Sequence, residues 1–122
     1  MYASASNPYN TYQKNNVNTA SSGKLLLMLY EGAIKFCRLA ELAIDEGNIE
    51  KRHNNLFKAK RIIKELAFTL NREVDFSKEL GALYAYMERQ LISANIKNDK
   101  EKISEVKKML EDLKSSWETI IN

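Results

Sequence analysis

One stretch, residues 24–46, constrains this chain more than any other. It reads KLLLMLYEGAIKFCRLAELAIDE, contains no proline, and is long enough for about six helical turns. Projected at 100° per residue, its apolar side chains cover about 200° of the helix, whereas an ordinary surface helix carries a stripe little more than about 100° wide. Such a helix needs partners on more than one side. It is either the central helix of a bundle or a helix with part of its surface left for another molecule.

The apolar residues of this stretch fall into three groups on the helical projection. Leu27 and Ile34, seven residues apart, lie almost opposite Leu25. The main stripe consists of Leu25, Met28, Leu29, Ala33, Phe36, Leu39, Ala40 and Ala43. The flanking group consists of Leu26, Tyr30, Cys37 and Ile44. The groups outside the main stripe are those most readily left for a partner.

The same periodicity predicts three more long helices, over residues 49–71, 78–97 and 100–121. Gly47 is the residue type that commonly ends a helix, and Asn48 is placed to cap the next one. Because the connections are short, neighbouring helices should be antiparallel. Candidate N-caps for the first and third helices are, in order, Ser21 or Ser22, and Asp75 or Ser77. Asn98 and Asp99 are predicted to end the third helix and cap the fourth, with Asn98 and Glu101 in a capping-box pattern.

The first part of the chain, residues 1–22, is rich in Asn, Ser, Thr and Tyr and contains the only proline. This composition cannot bury much apolar surface, so we expect a flexible flap. A short helix is predicted within it, over residues 8–16, where Tyr9 and Tyr12 share one face. With Val17, these tyrosines are candidate contacts between the flap and the rest of the protein. The alternative is a frayed terminus.

These patterns predict an all-α protein: an antiparallel up-down-up-down four-helix bundle over residues 23–122, preceded by the short, mobile N-terminal helix. The length of 122 residues fits one domain. The single Cys37 cannot form an internal disulfide and indicates a reducing compartment. We expect no signal peptide and no membrane insertion, since no apolar run reaches about 18 residues. The net charge of +3, with Lys and Glu interspersed, argues only weakly for nucleic acid.

Chemistry-bearing motifs are scarce, and the sequence predicts a protein that is not an enzyme. Residues 50–53 match the Glu-x-x-His spacing of di-iron bundles, but such a site needs two of these motifs, and His53 is the only histidine. Cys37 lies on an apolar flank without a histidine partner. No glycine-rich phosphate loop is present. We therefore expect no catalytic residues, no metal and no cofactor.

Binding remains, because the first three long helices carry apolar residues beyond their core stripes, whereas the last carries a single stripe. Phe57 and Phe68, eleven residues apart, share a stripe away from the core of the second helix. Candidate binding residues are Leu27, Tyr30, Ile34, Phe57, Phe68, Ala82, Ala85, Ile92 and Ile96. They either pack in a homodimer or form grooves for an amphipathic helix of another protein. A basic nucleic-acid-binding bundle is a weaker alternative, because glutamates interrupt the basic residues.

The run YQKNNVNTASSGKLLLMLYEGAIKF, residues 12–36, resembles the signature of the flagellar secretion chaperone family, the export chaperones for flagellin. The similarity continues through Asn55, Lys58, Ala59, Ile62, Ile63, Glu65, Leu66, Leu83, Tyr84, Tyr86, Met87, Ala94, Asn95, Asn98, Asp99 and Trp117. It covers essentially the whole chain in order.

This resemblance implies a cytoplasmic chaperone that binds the disordered C-terminal segment of flagellin, which folds into helices around it. Covering that segment would prevent premature polymerisation and keep flagellin competent for type III export. It further implies that the N-terminal helix covers part of the client groove when no client is present. The flagellar export apparatus and other flagellar regulators are further candidate partners.

Overall fold

The computed structural model describes residues 21–71 and 75–121, and this part of the chain contains four helices and no strand. They are α1 (Ser21–Glu46), α2 (Ile49–Phe68), α3 (Ser77–Lys97) and α4 (Lys100–Ile121). α1 packs against α2 and α4, and α3 packs against the same two helices, so that α1 and α3 lie on one diagonal of the bundle and α2 and α4 on the other. The predicted all-α four-helix bundle is confirmed. No helix in the described ranges is long and apolar enough to cross a membrane.

Two turns between helices depend on residues in the left-handed region of backbone conformation. Gly47 has φ of 69°, and the Asn48 side chain accepts a hydrogen bond from the Lys51 backbone N–H at 3.0 Å, so both predicted roles are confirmed. Asn98, with φ of 54°, ends α3 by donating its backbone N–H to the Ala94 carbonyl. The predicted capping box at Asn98 is therefore wrong.

Of the predicted pair, Asp99 caps α4, since its Oδ1 accepts the Glu101 backbone N–H at 3.0 Å. The predicted caps of α1 and α3 differ from the structure. At the start of α3, Phe76 occupies the N-cap position without a side-chain cap bond, and Ser77 is the first helical residue. Ser21 and Ser22 lie inside α1. Periodicity alone does not specify the residue at which a helix begins.

The core is a column of side chains contributed by all four helices. Its α1 members follow helical spacing through Tyr30, Ala33, Cys37 and Ala40, each with no exposed surface. α1 makes the most extensive contacts in the bundle, as expected for a helix with apolar residues over so much of its circumference. The partners from the other helices are Leu56, Ala59, Ile63, Leu66, Leu80, Tyr84, Met87, Leu91, Ala94, Ile103, Val106 and Leu110.

Ion pairs and hydrogen bonds connect α1 to α4 along their boundary, which we call the α1–α4 seam. Glu41 is only 7% exposed, and its carboxylate accepts hydrogen bonds from Lys107 Nζ at 2.7 Å and from the Ser104 hydroxyl. The other cross-helix pairs of the seam are Lys100 with Asp45, at 2.9 Å, and Lys114 with Glu31, at 3.5 Å. α1 and α4 are thus held by paired charges as well as by apolar packing.

The predicted flap, residues 1–22, falls almost entirely outside the described residues. Its candidate contacts, Tyr9, Tyr12 and Val17, lie in the part of the chain that the structure does not describe. Its last two residues, Ser21 and Ser22, belong to α1.

Candidate functional site

Most of the predicted binding residues come together on the outer side of α2 and α3. An ion pair between Lys64 and Glu88, with Nζ and Oε1 3.8 Å apart, marks the boundary between these two helices. Phe57 and Phe68 lie seven residues before and four residues after Lys64, so they share its side of α2. By the same spacing, Ala85 and Ile92 share the side of Glu88 on α3. Ile96 and Ala82 continue that row by a further turn in each direction.

We call this surface, formed by Phe57, Phe68, Ala82, Ala85, Ile92 and Ile96, the outer α2–α3 face. All six residues are exposed, as predicted. The exposed fraction reaches 87% for Phe68 and 77% for Ile96, against 49% for Phe57 and 44% for Ile92. A large apolar side chain left in water forgoes about 1.5–3 kcal/mol of burial free energy. Apolar residues clustered on one surface therefore indicate an interaction site.

Arginines lie along both edges of the outer α2–α3 face. On α2, the guanidinium carbon of Arg61 is 6.0 Å from the centre of the Phe57 ring. On α3, the guanidinium carbon of Arg89 is 6.0 Å from the centre of the Tyr86 ring. Both distances suit a cation–π contact, which keeps the arginine stem against an aromatic surface and its charge in water. The face thus combines an apolar centre with positive edges.

The three candidates on α1 do not join this surface. Tyr30 has no exposed surface, so its predicted place on an outward stripe is wrong: α1 is flanked by both α2 and α4, and the flank of its stripe becomes the centre of the core. Ile34 is half-buried, packs against the core, and lies on the α4 side of α1. Leu27 is half-buried as well, two helical turns earlier on that side.

Ile34 lines a cleft of about 380 Å³ between α1 and α4. Its other lining residues are Glu31, Lys35, Arg38, Glu111, Lys114, Ser115 and Glu118. Because this lining is mostly charged and includes the seam pair Lys114 and Glu31, it does not offer the apolar surface that was predicted around Ile34.

A second apolar surface, which the sequence did not predict, lies between the start of α3 and the end of α4. This α3–α4 groove has a volume of about 290 Å³. The rings of Phe76 and Trp117 meet edge to face across it, with centres 6.2 Å apart. Its lining residues are Phe76, Glu79, Leu80, Leu83, Leu113, Ser116, Trp117 and Ile120.

Helical spacing places Leu113, Trp117 and Ile120 on the single apolar stripe of the last helix. The sequence therefore predicts that they are core residues, yet Ile120 is 73% exposed. The sequence feature that could have indicated this groove is Phe76, a large apolar residue immediately before a helix and outside every predicted core stripe. A recess of about 230 Å³ adjoins the groove and shares Phe76, Leu80 and Trp117 with it.

Three hydrogen-bonding side chains connect this groove to the core. The Tyr30 hydroxyl accepts a hydrogen bond from the Trp117 indole Nε1–H at 3.0 Å and is also hydrogen-bonded to the Tyr84 hydroxyl. Burial raises the pKa of both Tyr30 and Tyr84 above the ordinary tyrosine value, so both phenols stay protonated at neutral pH. Tyr30 therefore positions Trp117 from inside the core.

Cys37 and His53, the thiol and the imidazole of the chain, lie in different surroundings. Burial, followed by the nearby Glu41 carboxylate, raises the pKa of the Cys37 thiol to about 12, which keeps it protonated and unreactive. His53 is exposed, and its Nδ1 lies 2.9 Å from the Asn95 side-chain nitrogen. Within the described ranges, no three His, Cys, Asp or Glu side chains are grouped so that they could hold a metal ion.

Exposed apolar surfaces on a helical bundle define a protein-binding module as the class to which this chain belongs. Comparison with known proteins identifies the family within that class. Residues 5–122 match the family model described as "Flagellar protein FliS". The chain is 50% identical over 115 residues to the flagellar secretion chaperone FliS of Bacillus subtilis (strain 168), spanning 94% of this chain and 86% of that relative.

A relative of the same name in Campylobacter jejuni subsp. jejuni is 36% identical over 117 residues, covering 93% of this chain and 91% of its own. A solved structure described as a flagellar chaperone from bacteria shares the fold with a TM-score of 0.78, at 23% identity, covering 93% of this chain and 94% of that one. The chain therefore belongs to the FliS family of flagellar proteins. The resemblance found in residues 12–36 and beyond is confirmed.

Proposed function

We propose that this protein is a flagellin export chaperone that works in the cytoplasm. In this proposal it binds the disordered C-terminal segment of flagellin and keeps it from polymerising before type III export. The observation that carries the proposal is the outer α2–α3 face, where apolar residues stay exposed although the bundle has a complete core. The name shared by its relatives, flagellar secretion chaperone, gives independent support.

The binding step couples client folding to burial of this face. A disordered segment loses conformational entropy when it becomes helical, so it needs a long apolar surface in return. Phe57 and Phe68 on one helix and Ile92 and Ile96 on the other supply anchors at spacings that an amphipathic helix can match. Ala85, between the isoleucines and α2, leaves room for the guest backbone to approach.

The α3–α4 groove extends the available surface around the other side of α3. Its apolar residues Phe76, Leu83 and Ile120 are each more than a third exposed. We propose that a client long enough to form two helices lays one on the outer α2–α3 face and a second in this groove. The protein would then act by covering its client and not by chemical change, with no cofactor and with the export apparatus as the next partner.

The test is co-expression with a flagellin, with and without the flagellin C-terminal segment, followed by gel filtration. We expect a complex only with the intact flagellin. Ile92→Asp, on the outer α2–α3 face, should abolish that complex while the helical circular dichroism stays unchanged. The matched control is Leu42→Asp: Leu42 is 46% exposed, against 44% for Ile92, and lies about one turn from the end of α1.

A complex with truncated flagellin, or equal losses in Ile92→Asp and Leu42→Asp, would contradict the proposed site. The same exposed residues also suit the alternative of a homodimer. Sedimentation of the isolated protein separates the two. A monomer at every concentration supports the client site, whereas a dimer broken by Ile92→Asp assigns the face to self-association.

A further inference from the structure

The positive charge of this protein is concentrated on one helix. α2 carries six Lys or Arg residues and two Glu residues. The other helices are nearly balanced: α1 has three basic and four acidic residues, α3 has three and two, and α4 has five and five. The net charge of +3 is therefore carried mostly by α2, and Arg61 and Lys64 are the α2 cations that share the side of the two exposed phenylalanines.

This charge borders the outer α2–α3 face. Arg61 follows Phe57 by one turn and stacks beside its ring. Arg89 lies one turn after Ala85 and three residues before Ile92, on the outer edge of α3, and it is exposed. Glu88, the carboxylate at the boundary between the helices, is already paired with Lys64 at 3.8 Å. Of the two α2 carboxylates, Glu65 follows Arg61 by one turn and Glu50 precedes Phe57 by two turns, so cations and carboxylates alternate on this side and the cations are in excess.

We propose that the outer α2–α3 face selects an amphipathic helix whose apolar stripe is flanked by acidic side chains. This inference rests on the proposed function and adds the chemistry by which the face recognises its client. Packed helices lie about 8–10 Å apart, and a guest helix is about 10–12 Å wide with its side chains. A helix seated over the boundary between α2 and α3 thus has Arg61 along one flank and Arg89 along the other.

Arginine suits this role because its guanidinium binds carboxylates with two parallel hydrogen bonds and gives up hydration more easily than lysine. A guest with basic flanks would meet like charges on both edges, so the same arginines exclude the wrong partner. The two apolar rows stand on separate helices with an ion pair between them. This arrangement matches a rod-shaped guest better than it matches the plane of an anionic membrane.

The experiment uses three synthetic peptides of about 20 residues, long enough for roughly five helical turns. They share one Leu/Ala stripe and carry Glu, Gln or Lys at the flanking positions. Binding to the intact protein is measured by fluorescence anisotropy at about 50 mM and about 300 mM salt, since exposed charge pairs weaken with ionic strength. We expect the Glu peptide to bind about tenfold tighter than the Gln peptide at low salt, the Lys peptide to bind most weakly, and the differences to shrink at high salt.

The double variant Arg61→Gln with Arg89→Gln should erase the preference for Glu while the Gln peptide binds unchanged. The matched control, Arg38→Gln with Lys108→Gln, removes two exposed cations from α1 and α4 and should leave the preference intact. Circular dichroism of both double variants checks that the bundle is folded. Parallel binding of the flagellin C-terminal segment to each protein separates this inference from the proposed function.

If the flagellin segment binds but the three peptides bind alike, or none binds, the charge rule is overturned and the proposed function stands. If the flagellin segment does not bind the unmodified protein, both are overturned. Vesicles of phosphatidylglycerol that bind the protein and compete with the Glu peptide would assign the arginines to a membrane and overturn the inference. A preference that survives the Arg61 and Arg89 changes would do the same.

Discussion

The α1–α4 seam and the outer α2–α3 face lie on different sides of one bundle and treat their surface residues in opposite ways. In the seam, three ion pairs join α1 to α4, and Glu41 is almost completely buried with Lys107 and Ser104 bound to it. On the outer α2–α3 face, large apolar side chains remain in water beside arginines that point into solvent.

This difference shows that the bundle separates the residues that keep it folded from the residues available to a partner. α1 packs most extensively against its neighbours, whereas α3 makes the fewest contacts with them. α3 can therefore carry apolar residues on both of its outer sides. Substitutions in the core and the α1–α4 seam should therefore change stability, whereas substitutions on the outer α2–α3 face should change binding.

The largest effects are expected at two residues of α2, one buried in the core and the other exposed on the outer α2–α3 face. Leu66 has no exposed surface, so Leu66→Ala should lower the free energy of unfolding by about 2–5 kcal/mol. Phe68, two residues later, is 87% exposed, so Phe68→Ala should change stability by no more than about 0.5 kcal/mol. It should nevertheless weaken binding of the flagellin segment at least about tenfold. Urea unfolding and titration calorimetry measure the two quantities.

A stable Leu66→Ala protein, or a Phe68→Ala protein that has lost stability and kept its affinity, would break the comparison. The pair is a sharp test because both residues belong to the same helix. Effects of helix length and of position near the end of α2 are therefore nearly shared.

The next effect concerns the α1–α4 seam. Glu41→Ala leaves the Lys107 ammonium and the Ser104 hydroxyl without their partner, which should cost about 1–3 kcal/mol of stability. Binding of the flagellin segment should stay within a factor of about two once the protein is folded, because the seam does not touch the outer α2–α3 face. Thermal unfolding and anisotropy provide the readouts. A loss of affinity in the folded variant would show that the two regions are coupled.

A smaller effect is a pH dependence of the free energy of unfolding, caused by the buried Cys37 thiol beside the α1–α4 seam. The pKa of Cys37 rises from 9.0 in the unfolded chain to about 12 in the folded protein. Between these values the folded state keeps a proton that the unfolded state releases, so stability is unaffected below pH 9 and falls as pH rises above it. One such group contributes at most about 1.4 kcal/mol per pH unit. The decline between pH 9 and 11 should be shallower in Cys37→Ala, measured by urea unfolding at each pH.

The buried phenols of Tyr30 and Tyr84 act in the same direction at higher pH, since burial raises the pKa of both. If stability falls with pH as steeply in Cys37→Ala as in the unmodified protein, the whole pH effect belongs to the two tyrosines. A protein whose stability is constant to pH 11 would contradict the burial of all three groups.

The smallest effect compares two glycines that sit within helices. A Cβ at Gly81 would lie 3.5 Å from Leu70 Cδ1, an ordinary contact, so Gly81→Ala should stabilise α3 by about 0.5–1 kcal/mol through helix propensity. A Cβ at Gly32 would lie 3.1 Å from Ile62 Cδ1, which is tight, so Gly32→Ala should gain less or lose stability. Midpoints of thermal unfolding rank the two. The opposite ranking would show that α1 has more room beside α2 than α3 has.

The sequence predicted the four helices because hydrophobic periodicity over twenty or more residues is a strong signal, and because Gly47 needs a left-handed conformation that ends a helix. It also predicted the outer α2–α3 face. Phe57 and Phe68 lie too far around α2 from its core stripe to be buried by two neighbours. On α2 and α3, exposure thus followed from the distance between the apolar surplus and the core stripe. On α1 it did not: Leu27 and Ile34 are half-buried, and Ile34 lies on the side where α4 packs.

The errors have a different physical origin. A helical projection gives the width of an apolar surface but not the directions in which its neighbours lie. Tyr30 was placed on a flank, yet its hydroxyl is bonded in the core to Tyr84 and Trp117. The α3–α4 groove was missed for a related reason: Ile120 continues the stripe of α4, but near the helix end none of the four described helices covers it. Hydrophobic periodicity gives the spacing of apolar residues within one helix. It does not show where along that helix the neighbouring helices end.

The hydrogen bond from Trp117 to Tyr30 has a practical consequence. Trp117 is the sole tryptophan of the chain, and it lines both apolar recesses at one end of the bundle. The hydrogen bond to the Tyr30 hydroxyl holds its indole in a fixed orientation, and the side of the indole that faces the groove is partly exposed to water. The emission spectrum of the unlabelled protein therefore reports directly on that end of the molecule, and a blue shift on mixing with flagellin would record the displacement of water from the indole in real time.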